Sequence, residues 1–321
     1  MSLAPWHAEP WSSLTTRLQR DALPHALLLC GPAGLGKREF ADRFVAYALC
    51  QNRAEEACGR CRACLLLAAG SHPDRVRVTL EERDDGKLRS EIVIEQIRKL
   101  SERLAMTPQF GGRQLVIIDP ADTMNAASAN ALLKTLEEPT TGTVIVLVSD
   151  APARLVATIR SRCQRVEFKL PTRDMAMAWL RQQGVTDAEA ALAAASGNPG
   201  QAREIAQSGG LALRAEIAKD LGAVWANTVS ANDVANRWAK AEAAQRLWYA
   251  QQLAGEEAGA AASSRKGPLA LTPAPDFHKL AAWMQQAGRV REQLRTPLRP
   301  ELSILELLLA WRELAPRARR A

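Results

Sequence analysis

The stretch that decides the fold is HALLLCGPAGLGKR, residues 25–38, in which an apolar segment runs directly into a glycine-rich loop. The apolar residues 25–30 predict a buried β-strand. The helical spacing of apolar residues after the loop predicts a helix from Lys37 to about Leu49. A strand, a loop of the form G-x-x-x-x-G-K and a helix in this order are typical of a phosphate-binding loop. The sequence therefore predicts a nucleotide-binding fold.

The loop carries most of the residues that bind a nucleotide, but not all of them. Gly31, Gly34 and Gly36 allow successive backbone N–H groups to surround phosphate oxygens. Lys37 can reach the terminal phosphates, and the Ser or Thr that normally follows ligates Mg²⁺. Here Arg38 takes that place, and a guanidinium cannot bind a metal ion. The loop therefore leaves binding of ATP or ADP open and predicts impaired hydrolysis.

A second departure lies at the end of the third predicted strand. Residues 114–119 are an apolar run that ends in Asp119, the position expected for a carboxylate that holds Mg²⁺. An active ATPase of this architecture typically has a glutamate next, which polarises the attacking water, but this chain has Pro120. Proline has neither a carboxylate nor a backbone N–H. Two changes at one site predict a binding fold with impaired catalysis.

Apolar runs alternate with helix-period segments through the first half of the chain. Five strands separated by helices predict a parallel sheet with helices on both faces. The predicted strands are residues 25–30, 75–80, 114–119, 143–149 and 164–168.

The second half is rich in alanine and predicted to be helical. We expect an α/β core over residues 1–170, a three-helix lid over 171–208 and an all-α domain over 209–321. Within the last domain, residues 231–253 predict a single helix. The Ala/Ser/Gly/Pro-rich residues 255–275 predict a mobile loop.

Four of the six cysteines lie within a segment of fifteen residues: Cys50, Cys58, Cys61 and Cys64. In a reducing cytosol, clustered cysteines indicate a metal site more often than disulfides. Four thiolates can close a tetrahedral shell around Zn²⁺, with Zn–S distances of ~2.3 Å and no open position for catalysis. The spacing therefore predicts a structural zinc module at residues 50–64. The alternatives are buried packing cysteines or a redox pair.

Composition and charge indicate an ordinary soluble protein. The chain has 321 residues, of which 47% are apolar and 24% charged, and its net charge is +7. This excess permits contact with nucleic acid but does not require it. We find no signal peptide and no apolar run of the ~18 residues that a membrane helix needs, so we expect a cytoplasmic protein without membrane contact.

Several of these segments together resemble the bacterial clamp-loader AAA+ family. They are the glycine-rich loop, the four cysteines, Ser71-His-Pro-Asp74, the run NALLKTLEEP at residues 130–139, and Ser161-Arg162-Cys163. The match is strong over the first ~170 residues and extends to the rest only in architecture. The resemblance implies an AAA+ core, a small helical lid and a C-terminal collar that joins subunits.

The resemblance also implies roles for residues and partners. In that family the arginine of the Ser-Arg-Cys triplet is a finger inserted into a neighbour's ATP site, which here would be Arg162. A guanidinium supplied in this way neutralises charge that develops on the γ-phosphoryl group. Ser149, at the end of the fourth predicted strand, would be the polar sensor; the alternative is an ordinary serine at a strand end. The implied partners are the motor subunits (gamma/tau) and the delta subunit in a hetero-pentamer. Through that assembly the chain would act on a sliding clamp and primed DNA.

The changes at Arg38 and Pro120 imply a non-motor subunit. Such a subunit would hold the shape of the assembly, act as an accessory subunit of a DNA-directed DNA polymerase, and have impaired ATPase activity of its own. Two alternatives remain open from the sequence. One is an active motor ATPase of the same family, and the other is a zinc-containing DNA-binding module.

Overall fold

The computed structural model describes residues 3–83, 85–110, 112–263, 265–272, 276–294 and 299–314. The strands are β1 (Ala26–Cys30), β2 (Arg75–Val78), β3 (Gln114–Ile118), β4 (Thr143–Ser149) and β5 (Gln164–Glu167). The helices in the first part are α1 (Ala8–Gln19), α2 (Lys37–Leu49), α3 (Arg62–Ala68), α4 (Ile94–Leu104), α5 (Ala126–Glu137), α6 (Ala157–Arg162) and α7 (Arg173–Gln182). Those that follow are α8 (Ala188–Ala194), α9 (Pro199–Gln207), α10 (Gly210–Trp225), α11 (Ala231–Lys240), α12 (Ala243–Ala262), α13 (Phe277–Gln293) and α14 (Pro300–Glu313).

The strands form a parallel sheet in the order β2-β3-β4-β1-β5. Leu28 in β1 pairs with Leu147 in β4 on one side and with Arg165 in β5 on the other. The predicted five-stranded parallel sheet is confirmed. Because all five strands are parallel, the loop that follows β1 lies at the same sheet edge as the ends of β3 and β4. Ligands of open parallel sheets bind at this carboxyl edge.

Both faces of the sheet are covered by helices, which explains why the central strands are unbroken apolar runs. Successive side chains of a strand point to opposite faces. Leu28 packs with the helices α4 and α5 on one face, whereas Leu27 and Leu29 pack on the other face with Phe40 and Phe44 of α2. Every residue of β1, β3 and β4 is buried.

The chain divides into two compact units. One comprises Met1–Gly184 with Ala195–Ala202, and the other comprises Val185–Ala194 with Arg203–Ala321. Of the predicted lid helices, α7 belongs to the first unit and α8 to the second. The boundaries at 170 and 208 stay predictions. Within the predicted domains and the predicted loop, residues 1, 2, 84, 111, 264, 273–275, 295–298 and 315–321 lie outside the described residues.

The second unit is helical, and two predictions within it are wrong. The single helix predicted over 231–253 is two helices, α11 and α12, separated at Glu242, whose φ of 53° is left-handed. The predicted loop begins too early, because residues 255–262 continue α12. Alanine and glycine suggested a loop there, but packing of α12 against α13 overrides that composition. No helix in the part of the chain that the structure describes is both long and apolar enough to cross a membrane.

Candidate functional site

The glycine-rich loop joins β1 to α2 and has the backbone of a phosphate-binding turn. Gly34 and Gly36 have φ of 82° and 75°, a region that side chains with a Cβ rarely adopt. Gly36 is the N-cap residue of α2. The predicted strand, loop and helix are therefore present in the predicted order, and Lys37 is the first residue of the helix.

The Lys37 ammonium forms its contacts with other groups of the same chain. Its Nζ donates to the carbonyl oxygens of Gly31 at 2.7 Å and Pro32 at 2.6 Å. It also lies 2.6 Å from Oδ1 of Asp150, and the Lys37 side chain is 1% exposed. A lysine ammonium has three N–H donors, and these three contacts match that number. Lys37 would have to give up these contacts to reach a phosphate.

Arg38, which replaces the usual Mg²⁺ ligand, bridges two carboxylates. Its Nε lies 3.0 Å from the Asp119 carboxylate, and its Nη2 lies 3.0 Å from Oδ2 of Asp150. Burial raises the pKa of Asp119 above its ordinary value, although Arg38 and Arg77 oppose that shift. Burial also opposes ionisation of Asp150, but Lys37 and Arg38 keep the pKa of that carboxyl below its usual range. The carboxylate predicted to hold Mg²⁺ is therefore engaged by a guanidinium.

The start of α9 lies directly against the phosphate loop. Asn198 Nδ2 donates to the carbonyl oxygen of Ala33 at 2.7 Å. A Cβ added to Gly200 would lie 1.7 Å from the carbonyl oxygen of Gly34, so only glycine allows this approach. Asn198 and the first turn of α9 thus cover one side of the loop, in a way that the sequence did not indicate.

The N-terminal segment covers another side of the loop. Trp6 Nε1 donates to the carbonyl oxygen of Leu35 at 3.0 Å, and His7 Nε2 lies 2.6 Å from the same oxygen. The His7 ring also packs edge-on against Phe40 and Phe168. Burial lowers the pKa of His7, which favours the neutral ring. Two aromatic side chains therefore fix the loop through one carbonyl group.

The predicted sensor Ser149 and its neighbour have different environments. Ser149 is fully buried, and its Oγ has no hydrogen-bond partner within the described residues. Asp150, the next residue, contacts both Lys37 and Arg38. Sequence reasoning missed Asp150. Its signal was an acidic residue placed directly after the predicted strand β4, at the sheet edge where the loop lies.

The structure brings the four predicted metal ligands together. The sulfur atoms of Cys50, Cys58, Cys61 and Cys64 all lie within 4.8 Å of one another, and those of Cys50 and Cys61 are 3.9 Å apart. Four sulfurs bound to one Zn²⁺ at ~2.3 Å would be about 3.8 Å apart. Cys50 ends α2 and Cys61 caps α3, so a metal here would join the two helices. These cysteines can bind a metal ion.

Backbone donors surround the thiols. The N–H groups of Cys58, Cys61 and Cys64 lie 3.3, 3.3 and 3.5 Å from the sulfurs of Cys50, Cys58 and Cys61. Burial disfavours the Cys61 thiolate, but N–H groups of Cys64 and Gln51 lower its pKa to about 6. Burial raises the pKa of Cys64 to about 12. A bound cation would favour the thiolate form of all four, and the donor set fits zinc.

Arg162 is the last residue of α6 and lies near the surface. Its Nη2 lies 2.5 Å from Oε1 of Glu137, and its Nη1 donates to the carbonyl oxygen of Thr158 at 3.0 Å. The Arg162 side chain is 37% exposed. The adjacent Cys163 is buried, and burial raises its pKa to about 12. In the Ser-Arg-Cys triplet, the cysteine therefore anchors the chain in the core while the arginine remains accessible.

The fold and this site define a parallel α/β core with a phosphate-loop turn, in which the lysine and arginine of the loop are paired with carboxylates of the same chain. Residues 6–172 match the family model described as DNA polymerase III, delta subunit. The chain is 38% identical to DNA polymerase III subunit delta' of Pseudomonas aeruginosa, over 73% of this chain and 70% of that protein. The chain belongs to the DNA polymerase III delta' family.

Two further comparisons give the extent of the likeness. DNA polymerase III subunit delta' of Escherichia coli (strain K12) is 34% identical over 63% of this chain, and the alignment covers 60% of that protein. A gamma subunit-related protein of DNA polymerase III from Thermotoga maritima is a solved structure with a TM-score of 0.49 and 17% identity. It covers 94% of this chain and 99% of its own.

Proposed function

We propose that this chain is a non-motor subunit of a DNA polymerase III clamp loader. It would hold the shape of the assembly and supply Arg162 to the ATP site of a neighbouring motor subunit. Membership of the delta' family supports the clamp-loader role. The partners would be motor subunits (gamma/tau) and a delta subunit in a hetero-pentamer that loads a sliding clamp onto primed DNA.

The observation that carries this proposal is the closed set of contacts at the phosphate loop. Lys37 is paired with Asp150, and Arg38 spans Asp119 and Asp150. To bind a triphosphate with Mg²⁺, the site would need Lys37 and the carboxylates, which are already engaged in these pairs. The chain has Pro120 where an active ATPase has a glutamate. ATP or ADP would therefore bind weakly here, and the chain would not hydrolyse ATP.

Arg162 supports the other half of the proposal. A finger must be accessible at the surface and must keep N–H donors for phosphate oxygens. Arg162 is partly exposed at the end of α6, and the buried Ile159 and Cys163 on either side anchor that segment. A guanidinium in such a position can stabilise charge on a phosphoryl group of another chain.

We propose zinc as the metal of the four-cysteine cluster. With all four positions taken by sulfur, such an ion would have no site for substrate or water, so its role would be structural. It would join the end of α2 to the start of α3 and thereby support the helix that carries Lys37.

The test is the variant Arg162→Ala in a complex reconstituted with candidate motor subunits. Assembly should remain intact, while ATP turnover at the neighbouring site falls by a factor on the order of 10³. Arg165→Ala is the matched control, because Arg165 is also exposed, lies in β5 and pairs with Glu167. Unchanged turnover with Arg162→Ala would remove the finger assignment. Lys37-dependent hydrolysis by the purified single chain would instead favour a motor ATPase.

A further inference from the structure

We propose that Glu137 is the positioning residue of Arg162, an inference that rests on the proposed finger role of Arg162. Glu137 is the last residue of α5, and Arg162 is the last residue of α6. Oε1 of Glu137 lies 2.5 Å from Nη2 of Arg162. Leu136 and Ile159 belong to one buried cluster, so the two helix ends are held at this separation by the core.

The position of Glu137 in its own helix is electrostatically unfavourable. The C-terminal end of a helix carries partial negative charge, which favours cations and disfavours carboxylates within the last turn. Glu137 and Glu138 stand side by side at this end of α5. A nearby guanidinium offsets the cost for the carboxylate that it contacts. Arg162 therefore offsets the unfavourable position of the Glu137 carboxylate.

The guanidinium is held at two points without being saturated. Nη2 contacts Glu137, and Nη1 donates to the carbonyl oxygen of Thr158 at 3.0 Å. A guanidinium has five N–H donors, so two are engaged and three remain for phosphate oxygens. Two contacts on different nitrogens fix both the position and the plane of the group. This is the arrangement expected of a finger ordered before it meets its phosphate.

The consequence is a contribution to rate rather than to ATP binding. Glu137 contacts the arginine, and a carboxylate would repel a phosphate, so its loss should leave ATP binding unchanged but let the Arg162 side chain sample other rotamers. An exposed ion pair of this kind has a small effect. We expect kcat of the assembled complex to fall about threefold to fivefold in Glu137→Ala, with KM for ATP unchanged.

The test compares four variants in the reconstituted complex: Glu137→Ala, Glu137→Gln, Glu138→Ala and Arg162→Ala. Glu137→Gln keeps an acceptor oxygen without the charge, so it should have an intermediate kcat and serves if the alanine variant assembles poorly. Glu138→Ala is the matched control because it removes the adjacent exposed carboxylate, and its kcat should equal that of wild type. Adding Glu137→Ala to Arg162→Ala should slow turnover no further.

The possible results separate the two proposals. If Arg162→Ala is slow but both Glu137 variants equal wild type, the positioning role is wrong and the finger role stands. If Arg162→Ala itself equals wild type, the finger role fails. If Glu137→Ala slows turnover equally with and without Arg162, or raises KM for ATP, Glu137 acts on the fold or on binding, and the positioning role is overturned.

Discussion

The substitution Lys37→Met tests whether the Lys37 ammonium stabilises the fold in the absence of a nucleotide or serves only to bind one. Methionine keeps the unbranched apolar stem and removes the ammonium. In a loop that waits for ATP, losing the lysine mainly removes contacts with the ligand. Here Nζ already contacts Gly31, Pro32 and Asp150. We therefore expect the variant to lose stability when no nucleotide is present.

The size of the loss follows from these contacts. A hydrogen bond to a charged group contributes about 1.5–3 kcal/mol, and removing one partner of a buried ion pair costs about 3–5 kcal/mol. These terms share one ammonium and do not add. Asp150 is 27% exposed and retains Arg38 as a partner, which lowers the cost further. We expect the free energy of unfolding to fall by about 3 kcal/mol.

The assay is chemical denaturation in nucleotide-free buffer, followed by circular dichroism. Lys99→Met is the control, since Lys99 is an exposed lysine inside α4, and its effect should stay within about 0.5 kcal/mol. A loss below about 1 kcal/mol for Lys37→Met would refute the reasoning. So would strong stabilisation of the wild-type chain by Mg-ATP, which at one hundred times Kd would amount to about 2.7 kcal/mol.

Three further predictions concern the lid segment, the metal and the helical unit. Gly200→Ala should lower the free energy of unfolding by about 2 kcal/mol, because the added Cβ would collide with the loop backbone. The control is Gly222→Ala, in α10 with open space around it, which should be neutral or stabilising by up to about 1 kcal/mol. Equal effects of the two substitutions would contradict the close packing at Gly200. Elemental analysis should find about one zinc per chain, and chelation should lower the Tm; a chain without metal and with unchanged Tm would exclude the site. Leu302→Asp should weaken co-purification with partner subunits and Leu88→Asp should not, although the two leucines are 59% and 60% exposed; equal co-purification would argue against a collar surface on α14.

The sequence predicted what short-range patterns determine. Unbroken apolar runs identified the buried strands of the parallel sheet. The spacing within residues 50–64 restricted the four sulfurs so tightly that a cluster followed from the chain itself. The loop at residues 31–38 was recognisable because its glycines are required by backbone geometry.

The sequence could not predict which side chains close the phosphate loop. Asp150 lies more than one hundred positions from Lys37, and Asn198 still further from Ala33. Such contacts depend on the order of the strands and on packing, and local sequence patterns do not determine either. Gly200 offered no signal either, since its importance comes from a carbonyl group on another segment. The sequence showed that Arg38 removes a magnesium ligand, but it did not show that Arg38 also pairs with Asp119 and Asp150.

The charged side chains at the phosphate loop are paired with one another within the chain. Lys37 and Arg38 are paired with the carboxylates of Asp119 and Asp150, and Arg77 Nη1 also lies 3.8 Å from Asp119. In this chain Arg38 and Lys37 each form contacts that a phosphate and its metal would otherwise make. These pairs support our proposal that the contribution of this chain to ATP chemistry lies in Arg162 and not in its own phosphate loop.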